Sequence, residues 1–158
     1  MIIAITGTIG SGKSTVSKHF KDQGYDVYDA DKMVHAYYEK DEPVYNYLVD
    51  AYGEKILQDD LSLNRQALAK IVFTNYEELD KLENVVYPIV REEILKIKEK
   101  THNKYVFIEV PLLFEAKMED IFDKIMMVDA SQKTRHQRLL NKGYSLQDIL
   151  NREKRQYS

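Results

Sequence analysis

The chain has 158 residues, 44% hydrophobic content and a formal net charge of −3, which suits one compact domain with its own core and argues against a broad nucleic-acid surface. It contains no cysteine, so disulfides, thiolate metal sites and thiol nucleophiles are excluded. No apolar run approaches the roughly 18 residues of a membrane span. The opening MIIAITG has no basic stretch before its apolar residues and reads as a strand, not a signal peptide. A cytoplasmic location is therefore the default, with neither nucleic acid nor membrane as partner.

Ile2 to Ile5 form a short apolar run, as expected of a parallel strand buried on both faces. The spacing predicts a helix from Lys13 to about Asp22, with Val16 and Phe20 four apart and Gly24 as the breaker. Tyr25 to Tyr28 read as a second strand, ending in Asp29-Ala30-Asp31. Strand, glycine loop, helix and strand thus fill about 30 residues, one βαβ unit.

Residues 32–100 read as mostly helical. Met33, Val34, Tyr37 and Tyr38 share one face. Pro43 suits a first helical turn, Asn64 can cap a helix running through Ile71 and Val72, and a long helix over 76–100 is expected to be interrupted near Pro88. Lys104 to Val110 form a strong strand stopped by Pro111. Ile125 to Val128 form another, leading into Asp129, which reads as a helix cap. Residues 131–157 read as two polar helices separated by Gly143. Alternating strands and helices indicate an α/β fold with a parallel sheet, interrupted by a helical insertion.

Gly7-Thr8-Ile9-Gly10-Ser11-Gly12-Lys13-Ser14 matches G-x-x-x-x-G-K-[ST] in full, with a strand before it and a helix after it. The glycines let the backbone curl so that consecutive N–H groups face phosphate oxygens, and the following helix adds its positive end. Lys13 supplies a full charge to the β- and γ-phosphates, and the Ser14 hydroxyl is placed to ligate Mg²⁺. Binding of ATP or GTP with Mg²⁺ follows.

Asp29 and Asp31 fall where the second strand should end, at the sheet edge where ligands of open parallel sheets sit. A carboxylate there could accept the proton of an attacking hydroxyl or help order the metal. One of the two could instead merely cap the next helix. Asp31 is the preferred base. Glu109 closes the third strand and could reach the metal through water. Glu115 reads equally as a functional acid or as a helix-start residue favoured by the dipole.

Between 131 and 155, seven basic residues face only Asp148 and Glu153, a local excess of five in an acidic chain. Arg135, Arg138 and Lys142 share one helix face. That face could close over a triphosphate, stabilise the transferring group and exclude water, or it could be an ordinary solvated face.

Taken together, these segments resemble the dephospho-coenzyme A kinase family, over essentially the whole chain. The resemblance rests on TGTIGSGKSTV (6–16), VYDADKMVH (27–35), LSLNRQALAKIVF (61–73), LENVVYPIVRE (82–92), EVPLLFEA (109–116) and RLLNKGYSLQDILNREKRQ (138–156). It implies a single kinase domain over 1–158 with a three-layer P-loop fold. The core is 1–30 and 101–130, the acceptor-side helical insertion 31–100 and the helical lid 131–156. The implied reaction moves the ATP γ-phosphoryl to the ribose 3′-hydroxyl of dephospho-CoA, giving coenzyme A. ATP and dephospho-CoA would be the substrates and Mg²⁺ the cofactor.

By the same resemblance, Asp31 is the base, Lys13 the phosphate lysine and Arg138 the lid arginine at the transferring group. Gly7, Gly10, Ser11, Gly12, Lys13, Ser14 and Thr15 hold the ATP phosphates, and Arg135, Lys142 and Arg152 complete the lid. Asp31, His35, Asn64, Arg65 and Tyr87 form the acceptor side. Mg²⁺ would sit on Ser14, with Asp31 or Glu109 reaching it through water.

The chain departs from the family pattern at four places. Thr8 stands for a usual glycine, Tyr87 for a histidine, Glu109 for an aspartate and Lys142 for a frequent arginine, which loses the bidentate fork. The family also continues beyond Gln156-Tyr157-Ser158 through a further strand and a last helix, which the given sequence lacks.

Three rival readings stay open at this point. One is another P-loop kinase for a nucleoside, nucleotide or small metabolite. Another is a nucleotide switch or motor with water as acceptor, and the third a non-catalytic nucleotide-binding fragment.

Overall fold

Four short strands line up in parallel in the order β2-β3-β1-β4, with β1 Ile2–Thr6, β2 Asp26–Asp29, β3 Val106–Glu109 and β4 Lys124–Met127. The computed structural model describes residues 1–72 and 75–156. Phe73, the last residue of LSLNRQALAKIVF, and the Tyr157-Ser158 end lie outside them. β1 and β3 are the inner strands, and all four residues of β3 are buried. This is why both read as apolar runs without alternation. The register sets Ile5 opposite Glu109, Asp29 opposite Glu109 and Thr6 opposite Met127. The carboxyl ends of all four strands therefore share one edge, and the glycine loop leaves from it.

The strand ends differ by a residue or two from the sequence reading. Tyr25 is spent on the helix exit, where its N–H donates to the Phe20 carbonyl, so β2 starts at Asp26. α1 (Lys13–Asp22) matches the expected span, and Gly24 turns the chain out of it with φ 85°. Phe20 of α1 stacks on Phe107 of β3 with centroids 3.9 Å apart. Such a ring pair adds roughly 1 kcal/mol beyond its buried area.

The chain divides into two compact units, one of residues 1–30 and 94 onward, the other of residues 31–93. In the first, Ile2, Ile5, Val106, Ile108, Leu113, Met118 and Ile94 form the core. The second contains α2 (Ala30–Met33) from Asp31 onward, a 3₁₀ turn at His35–Tyr38, α3 (Pro43–Tyr52), α4 (Arg65–Val72) and α5 (Tyr76–Lys100) up to Glu93. Val44, Leu48, Ile56, Leu68, Val72 and Leu82 make its core. Pro43 occupies the first turn of α3, and the Asn64 side chain caps α4 by accepting from Ala67 N–H at 3.0 Å.

Two local expectations are corrected. α5 runs unbroken through Pro88. Proline forfeits a single N–H bond, to the carbonyl four residues back, while Val85, Val86 and Ile89 pack against the core of this unit and hold the helix across the gap. Asp129 does not cap the next helix. Ser131 does, its hydroxyl accepting from Thr134 N–H at 3.3 Å.

The two C-terminal helices are α6 (Gln132–Asn141) and α7 (Leu146–Glu153). Gly143 turns between them at φ 89°, and Leu139 and Ile149 are their buried anchors. Segment 111–117 is a chain of turns, so Glu115 is not at a helix start. Among the described residues no helix is long and apolar enough to cross a membrane.

Candidate active site

Residues 7–12 curl between β1 and α1 through three glycines at positive φ, Gly7 at 144°, Gly10 at 79° and Gly12 at 111°. Two of these positions have no room for a side chain. A Cβ on Gly7 would lie 2.0 Å from the Val128 carbonyl oxygen, and one on Gly10 2.9 Å from that of Arg135. Gly12 sits at the N-cap of α1 and, having no side chain, offers the first-turn amides no capping acceptor. The partial positive charge of a ten-residue helix N-terminus is thus directed at the loop.

Lys13 is buried. Its Nζ donates to the Gly7 carbonyl at 2.7 Å and to the Thr8 carbonyl at 3.2 Å. An ammonium held by the loop's own carbonyls is a preset anchor for a polyphosphate. Behind it, Glu109 is buried and accepts from two hydroxyls of α1, Ser14 at 3.1 Å on Oε1 and Ser17 at 2.7 Å on Oε2. Because Ser14 gives its proton to Glu109, the oxygen's lone pairs are left for a cation. The Thr8 and Ser11 hydroxyls are buried and make no hydrogen bond among the described residues.

α6 lies against the loop in the same unit. Arg138 Nη1 donates to the carbonyls of Gly10 at 3.2 Å and Ser11 at 2.8 Å, which puts its guanidinium on the loop's rim. Arg135 faces elsewhere. Its Nη1 donates to the Ala130 carbonyl at 2.7 Å and its Nη2 to Glu153 Oε1 at 2.9 Å, tying α6 to α7. His136 Nε2 meets the other Glu153 oxygen at 3.0 Å. Burial pushes the Glu153 carboxyl up, but His136 and Arg135 outweigh it and hold the group below the ordinary carboxylate value. Lys142 is exposed at the end of α6, and Arg152 stands over the Tyr144 ring at 5.2 Å.

Within the second unit, Asp31 stands in the first turn of α2. The Tyr38 phenol is raised by burial and then by the charge of Asp31, while Arg65 opposes the shift. These three side chains therefore share one electrostatic neighbourhood. A cavity of about 590 Å³ is lined by Tyr38, Lys40, Gln58, Asn64 and Arg65, among others. Its lining includes two of the expected acceptor residues. Asp31, His35 and Tyr87 are not part of it: His35 is exposed on the 3₁₀ turn and Tyr87 half-buried on α5.

Sequence reasoning passed over Ser17 and Tyr38. Ser17 was findable, since it stands three residues after Ser14 on one helical face. Tyr38 gave no such signal among twelve tyrosines.

A family model described as dephospho-CoA kinase matches residues 1–158. The chain belongs to the dephospho-CoA kinase family. It is 39% identical over 153 residues to the dephospho-CoA kinase of Fusobacterium nucleatum, covering 97% of this chain and 76% of that one. To the Aquifex aeolicus dephospho-CoA kinase it is 38% identical over 155 residues, covering 98% and 79%. Among solved structures, TT1252 from Thermus thermophilus superposes with a TM-score of 0.83 at 35% identity, over 99% of this chain and 80% of that one. A dephospho-CoA kinase from Campylobacter jejuni has a TM-score of 0.58 at 21% identity, over 94% and 96%, and supports the fold. The dephospho-CoA kinase assignment separates this chain from other P-loop kinases and from nucleotide switches, which the glycine loop alone left open.

Proposed function

We propose that this chain transfers the γ-phosphoryl group of ATP to the ribose 3′-hydroxyl of dephospho-CoA, releasing ADP and coenzyme A, and that it works in the cytoplasm. The observation that carries the reading is the loop itself, with Lys13 seated on the Gly7 and Thr8 carbonyls and Ser14 bonded to Glu109, in a chain that matches the dephospho-CoA kinase family from end to end.

In this reading the amides of Gly10 to Thr15 and the Lys13 ammonium bind the triphosphate tail. They neutralise charge that builds on the leaving β-phosphate oxygen. The acceptor oxygen forms a bond to Pγ as the bond from Pγ to the β-phosphate oxygen breaks. The hydroxyl proton passes to the Asp31 carboxylate, which acts as general base. Arg138 sits on the rim carbonyls of Gly10 and Ser11, and from there stabilises the equatorial oxygens of the transferring group.

The hard oxygen donors Ser14 and Glu109 fit Mg²⁺. Ser14 would bind it directly and Glu109 through water, and when bound it supplies positive charge to the β- and γ-phosphates. Residues 31–100 would serve the acceptor through His35, Asn64, Arg65 and Tyr87. Residues 131–156 would serve as the lid, with Arg135, Lys142 and Arg152 alongside Arg138.

The test is coupled ADP release with ATP, Mg²⁺ and dephospho-CoA, beside an acceptor-free control and a panel of nucleosides. Turnover that needs dephospho-CoA supports the reading. Equal ADP release without any acceptor, or preference for a nucleoside, overturns it.

A further inference from the structure

Gln156 follows α7, and both ends of its side-chain amide are engaged. Oε1 accepts from the Ile9 N–H at 2.7 Å, and Nε2 donates to the Pro111 carbonyl at 3.3 Å. The first partner is in the phosphate loop, and the second is the residue where the chain turns away after β3. The two bonds fix the orientation of the amide, because reversing it would set an NH₂ against an N–H.

The Ile9 N–H and the Thr8 carbonyl belong to one peptide unit, and that unit is planar and trans. A group that fixes the N–H therefore fixes the direction of the carbonyl on the opposite side. The Thr8 carbonyl is one of the two seats of Lys13, at 3.2 Å. The same peptide plane is thus gripped on its N–H side by Gln156 and on its carbonyl side by the phosphate lysine and by the Ser11 N–H, which donates to the Thr8 carbonyl at 3.1 Å. Further along the loop, the carbonyls of Gly10 and Ser11 are held by Arg138. Each of these three side chains takes a different part of the loop, and only Gln156 takes an amide.

We propose that Gln156 is a positioning residue for Lys13: by clamping the Thr8–Ile9 peptide it aims the Thr8 carbonyl and, through it, the ammonium that receives the nucleotide's phosphates. The inference rests on the proposed role of the loop as the ATP site and is independent of the acceptor. Gln156 touches neither substrate in this account. Its removal leaves the fold and the acceptor side intact and loosens the donor side alone.

The test uses the full chain with Gln156→Met, which keeps the length of the side chain and loses both hydrogen bonds. ATP affinity is read by equilibrium titration without acceptor, and KM is measured for each substrate. Loss of one hydrogen bond to the loop should weaken ATP binding by about threefold to tenfold. KM for ATP should rise with it, while KM for dephospho-CoA and Tm hold. Gln156→Glu keeps an acceptor for Ile9 and should keep that amide slow to exchange, as in the wild type, while the Met variant exchanges it faster.

Unchanged ATP affinity in Gln156→Met overturns the proposal. So does a matched rise in both KM values with a fallen Tm, the mark of a purely structural residue. Should the Met variant not fold, exchange of the Ile9 amide in the wild-type chain decides: protection supports the clamp, and exchange at the rate of an open loop ends it. Because the titration omits acceptor, a wild type that binds ATP but ignores dephospho-CoA would sink the proposed reaction and leave this inference standing.

Discussion

The Ser17 hydroxyl donates to Glu109 Oε2 at 2.7 Å, both side chains buried beneath the phosphate loop. That bond leaves Oε1 to accept from Ser14 at 3.1 Å, so the orientation of one carboxylate is set from two turns of the same helix. Partners of this kind tune the groups that meet a metal. Ser17→Ala should raise the Mg²⁺ concentration needed for half-maximal turnover by about tenfold, with turnover at saturating Mg²⁺ much less affected. A Mg²⁺ titration of the coupled assay checks this, and an unshifted midpoint would remove Glu109 from any part in holding the ion.

Asp31→Asn should leave ATP affinity nearly unchanged and cut turnover by about 10²-fold or more, because the amide cannot take the hydroxyl proton. Equilibrium ATP binding and steady-state rates, measured on one preparation, separate the two effects. Unchanged turnover would take Asp31 out of the base role. The same substitution removes a charge that raises the Tyr38 phenol, so that phenol should titrate at lower pH, although burial keeps it above its ordinary value.

Glu153 ties α7 to Arg135 and His136 of α6, and its folded-state carboxyl is held below the ordinary value. A depressed carboxylate contributes stability that is fully present above its unfolded value of about 4.3 and is lost as pH falls through the lower folded value. The wild type should therefore lose more Tm than Glu153→Gln between about pH 6 and pH 3. Parallel Tm profiles for the two proteins would show that the pair contributes nothing.

Gly7→Ala places a methyl group 2.0 Å from the Val128 carbonyl oxygen, at a φ of 144° that side chains rarely adopt. The backbone strain alone is worth roughly 1–3 kcal/mol. The loop or the β4 exit must also shift to relieve the clash. Thermal unfolding should show a clear loss of Tm, with ATP binding falling further than Tm alone explains. A variant with native Tm and native affinity would contradict the close approach of the two segments.

Much of the fold was legible because it is written at short range. The apolar run of β1, the glycines of the loop, α1 from Lys13 to Asp22 and the Asn64 cap of α4 each depend on residues within a few positions of one another. The misread places were those where a local rule was overridden by packing or by a better-placed neighbour. Pro88 should break a helix, yet the packed flanks of α5 carry it through. Asp129 should cap α6, but Ser131 stands closer to the first turn and takes the role, leaving Asp129 exposed 3.8 Å from Arg135. Glu115 was offered a helix start that the turns of 111–117 do not supply.

Composition and motif spacing alone determined the parallel α/β plan and a phosphate-binding loop, since backbone preference and glycine placement act locally, while the kinship with dephospho-CoA kinases came from the resemblance of whole segments. What each polar side chain holds was decided only in three dimensions. Glu109 meets Ser14 and Ser17 across more than ninety positions, Arg138 reaches Gly10 across 128, and Gln156 finds Ile9 across 147. No periodicity encodes such pairs. They exist because parallel strands return the chain to one sheet edge after each crossover, and that edge is where the loop, the third strand and the last two helices meet.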